Sequence, residues 1–337
     1  MESTSTERPV SGATNGVARG HLCRAPATGP GAVPDGLRDC ASNAIRLPLA
    51  SVRPPWHTWE GWCPMAEHDA LTPDEVGEFY DDRGWLWEIF MGQNLHIGYW
   101  DDKSPGVDPK DRLTDVMVER VGIGPGQRLL DVGCGRGRPA IRLAKSTGAS
   151  VKGITVSADQ VEGATREAEA AGVAERVDFE RADAMALPFG DATFDAVWAM
   201  ECVMYLTDRQ KAIEEMQRVL VPGGVLVLSD YAETMPLSPE WRDVLAESFT
   251  VDALPTPQDY LRMLTSAGFT VQHDEDAGYH LRRSAARIDR TVEENYHKVV
   301  SKGGAEFAAE FKAMIGKVAQ LERDLLGYRI ITALKSA

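Results

Sequence analysis

Three glycines at alternating positions follow an aspartate in the stretch DVGCGRGRPA, residues 131–140. Because glycine has no side chain, Gly133, Gly135 and Gly137 allow the backbone to approach a ligand closely. Read from Gly135, the stretch also fits the G-x-G-x-x-A form of a dinucleotide-binding fingerprint. A nicotinamide cofactor is therefore one interpretation of this loop.

The elements that must position this loop are predicted to be alternating strands and helices. Short β-rich runs such as RLLDVG, SVKGITV and FDAVWAM are separated by helical windows such as RPAIRLAKSTG and RQKAIEEMQRVL. This alternation predicts an α/β fold with a mainly parallel sheet. Ligands of such sheets bind beyond the carboxyl ends of the strands, beside the first strand, which is where the glycine loop is expected.

The second predicted strand argues against a dinucleotide. A dinucleotide site expects an acidic residue about 20 residues beyond the loop to hold the ribose, and this sequence has Thr155 there. Arg138 and Pro139 occupy the place of the third glycine. A nicotinamide-dependent oxidoreductase and a non-catalytic cofactor-binding module remain as the alternatives from other classes.

A longer pattern surrounds the loop. The stretches RLLDVGCGRGRPAIRLA, VKGITVSADQ, RADAMALPF, FDAVWAMECVMYLTDR and RVLVPGGVLVLSD resemble, in order and spacing, the class I S-adenosylmethionine-dependent methyltransferases over about residues 71–336. The resemblance is greatest to small-molecule enzymes of specialised metabolism, including glycoside O-methyltransferases and sterol, tocopherol and prenyl C-methyltransferases. It implies S-adenosylmethionine as the cofactor. It also implies a Rossmann-like fold with a seven-stranded, mainly parallel sheet, helices on both faces and a helical lid.

The resemblance also implies which residues hold the cofactor. A carboxylate such as Asp131 can hold the ammonium of the amino-acid half, the residues after the second strand would flank the ribose and adenine, and Asp183 would accept from the adenine amino group. The predicted cofactor-binding residues are Asp131, Gly133, Gly135, Gly137, Thr155, Val156, Gln160, Asp183, Ala184 and Tyr80.

The predicted catalytic residues are Glu201, Tyr205 and His96. The glycoside O-methyltransferases compared carry histidines just after the fourth strand, where this sequence has Met204 and Tyr205. This departure favours carbon methylation of a prenyl or terpenoid unit, with Glu201 and Tyr205 stabilising a carbocation. N-methylation of an amine comes second, and O-methylation of a sugar or polyketide hydroxyl third. For an oxygen acceptor, His96 or Asp230 is the candidate base.

Three regions are expected along the chain. Residues 1–64 are rich in Ser, Thr, Pro, Gly and Ala and predict a disordered extension. Residues 65–120 predict a helical cap, and residues 121–337 the methyltransferase domain, with a helical lid inserted at about 279–325. The aromatic density of the cap suits a lipophilic small-molecule acceptor; these residues are Tyr80, Trp85, Trp87, Phe90, Tyr99 and Trp100.

Composition excludes several classes of partner. The net charge of −15 repels a phosphate backbone, so no nucleic acid is expected. No apolar run approaches the roughly 20 residues of a membrane helix, and the N-terminus lacks the features of a signal peptide, so a cytoplasmic location is expected. The five cysteines show no zinc-ligand spacing, and no metal is predicted. A homodimer is left open.

Overall fold

The structure, a computed structural model, describes residues 86, 89, 94–101 and 104–336. The predicted extension, most of the predicted helical cap and Tyr80 lie outside the described residues. The helices of the described part are α1 (Pro109–Val121), α2 (Arg138–Thr147), α3 (Ala158–Ala170), α4 (Arg209–Val219), α5 (Pro239–Phe249), α6 (Pro257–Ser266), α7 (Gly278–Gly303) and α8 (Ala305–Asp324). The strands are β1 (Arg128–Val132), β2 (Ser150–Thr155), β3 (Val177–Arg181), β4 (Phe194–Met200), β5 (Leu220–Glu233), β6 (Phe269–Asp276) and β7 (Leu326–Lys335).

The strands form one seven-stranded sheet in the order β3-β2-β1-β4-β5-β7-β6. Strands β1 to β5 are parallel, and β7 lies antiparallel between β5 and β6. The predicted mainly parallel sheet of a Rossmann-like fold is therefore confirmed. The central strands are apolar on both faces because helices cover both sides, as in β4, where Ala196, Val197 and Trp198 are fully buried.

Several helices begin at residues that the sequence marks as caps. The Asp108 side chain accepts from Lys110 N at the start of α1, and Ser157 accepts from Gln160 N at the start of α3. Such side chains satisfy backbone amides that have no partner within the helix. The caps fix where each helix starts relative to the strand before it, and so fix the loops at the carboxyl edge of the sheet.

The sheet order changes direction at β1. Strand β2 pairs with one side of β1 and β4 with the other, so the chain crosses from one half of the sheet to the other at this point. The crevice outside the carboxyl ends of these strands is the usual ligand site of an open α/β sheet. Residues 133–136 of the glycine loop line this crevice.

Helices α7 and α8 are inserted between β6 and β7, where the sequence predicts a helical insertion. They share an apolar cluster that includes Val292, Val299, Phe311 and Ile315. Helix α5 was not predicted from the sequence. It follows β5 and buries Val244, Leu245 and Phe249.

Candidate active site

A cavity of about 180 Å³ lies at the carboxyl edge of the sheet and is here called the first cavity. Its walls come from the loops after β1, β2, β3 and β4, together with a segment that precedes α1. It brings together eleven of the residues predicted from the sequence: His96, Asp131, Gly133, Gly135, Thr155, Val156, Gln160, Asp183, Ala184, Glu201 and Tyr205. Eight of the predicted cofactor residues and all three predicted catalytic residues therefore line the same cavity.

Asp131 lies in the floor of the first cavity, in β1. Its side chain is almost completely buried, and Oδ2 has no hydrogen-bond partner among the described residues. Burial raises the pKa of this carboxyl to about 7, because a charge is costly to hold away from water. A cationic group placed beside Asp131 would satisfy the oxygen and favour the ionised form.

Thr155 and Gln160 face the cavity from the end of β2 and the start of α3. The Thr155 hydroxyl donates to Gln160 Oε1 at 2.7 Å and accepts from Ser157 N at 3.3 Å. This arrangement leaves the Gln160 amide hydrogens as donors at the position where a dinucleotide site would have a carboxylate. Beyond β3, Asp183 Oδ1 accepts from Met185 N at 2.8 Å, which shapes the adjoining turn.

The glycines of the loop have different roles. Gly133 has φ +75°, and a Cβ there would lie 2.6 Å from Cys202 Sγ, so the loop needs glycine to pass the end of β4. Gly137, also assigned to the cofactor from the sequence, is not among the residues that line the first cavity. It has φ +76°, and a Cβ would lie 2.5 Å from the ring of Phe179 on β3. Gly137 therefore allows close packing of α2 on the sheet.

Residues 94–101, here called the strap, cover one side of the first cavity through Leu95 and His96. Three of the hydrogen bonds that hold this segment come from different parts of the fold. Tyr99 N donates to Pro109 O on α1 at 2.7 Å, and Gly98 N donates to Ser284 Oγ on α7 at 2.9 Å. The third comes from the end of β4.

That third bond is made by Glu201. Its Oε1 accepts from Ile97 N of the strap at 2.8 Å and from the Tyr328 hydroxyl of β7 at 2.9 Å. Glu201 has φ +49°, a left-handed conformation that costs a residue with a side chain about 1–3 kcal/mol and occurs most often at functional sites. Burial raises the pKa of its carboxyl to about 8. Glu201 thus connects the strap, β4 and β7 at the wall of the cavity.

His96 of the strap lies between the first cavity and a second one. Its Nδ1 is 2.8 Å from Ile97 O, and because a carbonyl oxygen only accepts, Nδ1 carries the proton. Nε2 then has a lone pair, and its neighbour Thr114 Oγ1 is 3.4 Å away. Burial lowers the pKa of His96 to about 4, so the ring is neutral at physiological pH.

The second cavity, of about 370 Å³, adjoins the strap on the side of α1 and α7. One part of its wall is apolar and includes Ile97, Tyr231 and Ile288, whereas Lys110 and Arg287 supply positive charge. Burial lowers the pKa of Lys110 to about 8. His96 lines both cavities, so a ligand atom at the boundary between them would contact the imidazole of His96.

The structure places Asp230 and Tyr205 in different surroundings, although they are in neighbouring parts of the fold. Asp230 lines neither cavity; its Oδ2 accepts from Met204 N at 2.9 Å and its Oδ1 from Tyr231 N at 3.0 Å. Its carboxyl therefore supports the 3-10 turn Val203–Tyr205. Tyr205, at the end of this turn, does line the first cavity.

Sequence reasoning missed several residues of both cavities. Arg136 lines the first cavity from within the glycine loop. Its charge, at a position inside the motif, was a signal in the sequence that was not used to predict the site. Lys110, Ser284 and Arg287 line the second cavity. They come from α1 and α7, and nothing in the sequence indicates that these helices meet.

The first cavity fits the cofactor that the resemblance implies. The unpartnered buried oxygen of Asp131 suits an ammonium, and Thr155 and Gln160 offer polar atoms to a ribose. Met185 and Leu206 supply an apolar surface for a purine ring. In the described part of the chain, no cluster of three or more His, Cys, Asp or Glu side chains could bind a metal ion. None of its helices is long and apolar enough to span a membrane.

Comparisons with known proteins agree with this geometry. Residues 130–228 match a family model described as a methyltransferase domain. The chain is 38% identical to the 27-O-demethylrifamycin SV methyltransferase of Amycolatopsis mediterranei over 275 residues, 78% of this chain and 98% of that protein. It is 31% identical to the (+)-O-methylkolavelool synthase of Herpetosiphon aurantiacus, over 77% of this chain and 93% of that protein.

The crystal structure of the [4+2]-cyclase SpnF is also similar. It superposes with a TM-score of 0.69 and 34% sequence identity, over 80% of this chain and 98% of that chain. One architecture thus accompanies more than one named activity among proteins similar to this one.

Proposed function

This chain belongs to the class I S-adenosylmethionine-dependent methyltransferases of small molecules, and we propose that it methylates a hydroxyl oxygen of a largely apolar specialised metabolite. Methylation with S-adenosylmethionine in specialised metabolism is the activity of the family. The finer assignment to oxygen is supported by His96, a neutral imidazole with a lone pair on Nε2 at the boundary of the two cavities.

The first cavity would bind the cofactor and the second would bind the acceptor. When bound in the first cavity, S-adenosylmethionine supplies a methyl group on a positively charged sulfur. Asp131 would hold its ammonium, and Thr155 and Gln160 its ribose. The acceptor would occupy the second cavity, with its hydroxyl directed toward His96.

The residues around the acceptor orient it and move one proton. A hydroxyl that reaches the boundary can donate to His96 Nε2, and the imidazole takes up this proton as the oxygen–carbon bond forms. General-base assistance of this kind is worth about 10²–10⁴ in rate. Holding both reactants in line, away from water, contributes a further factor that can reach about 7–11 kcal/mol. The strap, with Leu95 and His96, excludes water from the reacting atoms.

We therefore prefer oxygen to carbon as the atom that accepts the methyl group. The departure from the glycoside O-methyltransferases at Met204 and Tyr205 made carbon methylation the preferred sequence-based hypothesis. His96 supplies a base from the strap instead of from the loop after β4. The names of the two relatives also point to oxygen: one is a methyltransferase of 27-O-demethylrifamycin SV, and the other is a synthase of (+)-O-methylkolavelool. Ile97, Tyr231 and Ile288 in the wall of the second cavity support a lipophilic acceptor.

Transfer of an isotopically labelled methyl group tests the proposal. The purified protein is incubated with labelled S-adenosylmethionine and a panel of hydroxylated polyketides, glycosides, terpenoid alkenes and amines, and fragment masses locate the label. A label on oxygen is expected. A label on carbon would refute the oxygen assignment and restore the cation model with Glu201 and Tyr205. Conversion of an acceptor to an unlabelled isomer would instead indicate cyclisation without methyl transfer.

A variant of His96 tests the base. His96→Gln keeps a hydrogen-bonding side chain of similar size, and we expect kcat to fall by about 10²–10⁴ with little change in cofactor affinity. His273→Gln, on the exposed face of β6, is the matched control and should leave kcat unchanged. Because the pKa of His96 is about 4, wild-type kcat should show no step from its protonation between pH 6 and 8. Retention of kcat in His96→Gln would remove His96 from the mechanism.

A further inference from the structure

Glu201 occupies an unusual place, because its carboxyl lines the first cavity and also holds the segment that covers it. Ile97 N and the Tyr328 hydroxyl both donate to the same oxygen, Oε1. These partners lie 104 and 127 residues away in sequence. Loss of this carboxyl would therefore release the strap from both β4 and β7.

The strap completes both cavities. Leu95 and His96 line the first, and Asn94, His96 and Ile97 line the second. Among the described residues, one strap group donates a hydrogen bond to a side chain that lines the first cavity. This group is the Ile97 amide, which donates to Glu201. Bonds to α1, β6 and α7 also hold the strap, but the bond to Glu201 is the one made by a group that a bound cofactor would meet.

We propose that Glu201 is a positioning residue that latches the strap over the first cavity, and that a positive charge in this cavity tightens the latch. A carboxylate accepts hydrogen bonds about twice as strongly as a neutral carboxyl does. A cation nearby favours the carboxylate form. S-adenosylmethionine carries a sulfonium, whereas the product S-adenosylhomocysteine has an uncharged thioether at this position. The latch is therefore tight before methyl transfer and weaker after it, when products must leave.

The surroundings of Glu201 make its charge responsive to the ligand. Burial raises the pKa of the carboxyl to about 8, and the acids Asp230 on β5 and Glu322 on α8 act in the same direction. Lys110 on α1 is a cation close enough to influence it. Tyr328 and the Ile97 amide stabilise the ionised form. The carboxyl is therefore mostly protonated in the empty protein at neutral pH, and an added positive charge can shift it.

Hydrogen–deuterium exchange of the strap tests this inference. Exchange of the Ile97 amide is measured in the intact protein saturated with S-adenosylmethionine or with S-adenosylhomocysteine at pH 7. We expect it to be about fivefold slower with the charged ligand, from the difference between charged and neutral hydrogen bonds. Equal protection with the two ligands would overturn the proposal without any variant being made.

Variants separate a latch from a simple structural contact. Glu201→Gln keeps the shape but cannot ionise, so the two ligands should give equal exchange at Ile97. Tyr328→Phe removes one donor to Oε1 and should keep a difference between ligands, and it serves as the second variant if Glu201→Gln does not fold. Glu214→Gln, exposed on α4, is the control and should behave as wild type. A ligand difference that persists in Glu201→Gln would refute the assignment.

This inference rests on cofactor binding alone. The atom that accepts the methyl group has no part in it, because the exchange experiment contains no acceptor. A label found on carbon would thus contradict the proposed function and leave the latch intact. Equal exchange with both ligands would contradict the latch and leave oxygen methylation intact.

Discussion

Without cofactor, the Asp131→Asn variant should become more stable relative to wild type as the pH rises. Burial raises the pKa of this carboxyl from 3.8 to about 7. Between these values the folded protein holds a proton that the unfolded chain has lost, so the free energy of unfolding falls as the pH increases through this window. The loss is complete above about pH 7. Asparagine does not titrate, so the variant escapes this loss.

The expected magnitude follows from the width of the window. Each pH unit corresponds to about 1.36 kcal/mol, and the carboxyl is already half ionised at its pKa, so the stability of Asp131→Asn relative to wild type should increase by about 2 kcal/mol between pH 5 and pH 7. The other buried acids titrate equally in both proteins and cancel. The Asp131→Asn variant should bind S-adenosylmethionine more weakly, because an amide cannot hold an ammonium as a carboxylate can.

Chemical denaturation at pH 5, 6, 7 and 8 without cofactor measures this difference. Asp243→Asn is the matched control, since Asp243 is exposed on α5 and lines neither cavity. The reasoning would be refuted if the difference between Asp131→Asn and wild type stayed constant from pH 5 to pH 7. That result would mean that the carboxyl is ionised and compensated in the folded protein.

Three further outcomes are expected. S-adenosylmethionine should bind more tightly at pH 8 than at pH 6 in calorimetric titrations, because its positive charge favours the ionised forms of Asp131 and Glu201; S-adenosylhomocysteine should show a smaller change, and equal changes would argue against charge coupling. Gly137→Ala should lower the free energy of unfolding by about 1–3 kcal/mol, because a methyl group would meet the Phe179 ring at a positive φ; an unchanged denaturation midpoint would contradict this. Phe311→Ala should cost about 3–5 kcal/mol by leaving a cavity between α7 and α8, and a loss below 1 kcal/mol would show that these helices repack.

The parts of the fold that short-range patterns determine were predictable. The apolar run RLLDV and the glycines after it sufficed to place a ligand loop at the end of β1, and the structure confirms this position. Helix α5 was not predicted, although Ser238, Pro239 and Glu240 form a recognisable helix start. The insertion between β6 and β7 was predicted because long charged helical patterns are visible without tertiary information.

The site was predictable only where a motif marks it. Asp131, Thr155 and Asp183 each follow or end a strand in a recognisable stretch, and all three line the first cavity. The bond between Ile97 and Glu201 joins residues 104 positions apart, and no local pattern encodes such a distance. For Gly137, the motif and the structure indicate different roles. Its place in the motif suggested a ligand contact, whereas the ring of Phe179 explains why a side chain is excluded there.

The position of α7 in the chain has a consequence for how acceptor choice can change. Ser284, Arg287, Ile288 and Thr291 all contribute to the second cavity, and in the described structure no residue of α7 or α8 lines the first. A single continuous segment, residues 284–291, therefore contributes four residues to the wall of the proposed acceptor cavity and none to the proposed cofactor cavity. Exchange of this segment between related proteins, by recombination or in the laboratory, could transfer acceptor preference in one step. The cofactor half would be inherited unchanged, so new substrates could be explored without rebuilding the chemistry.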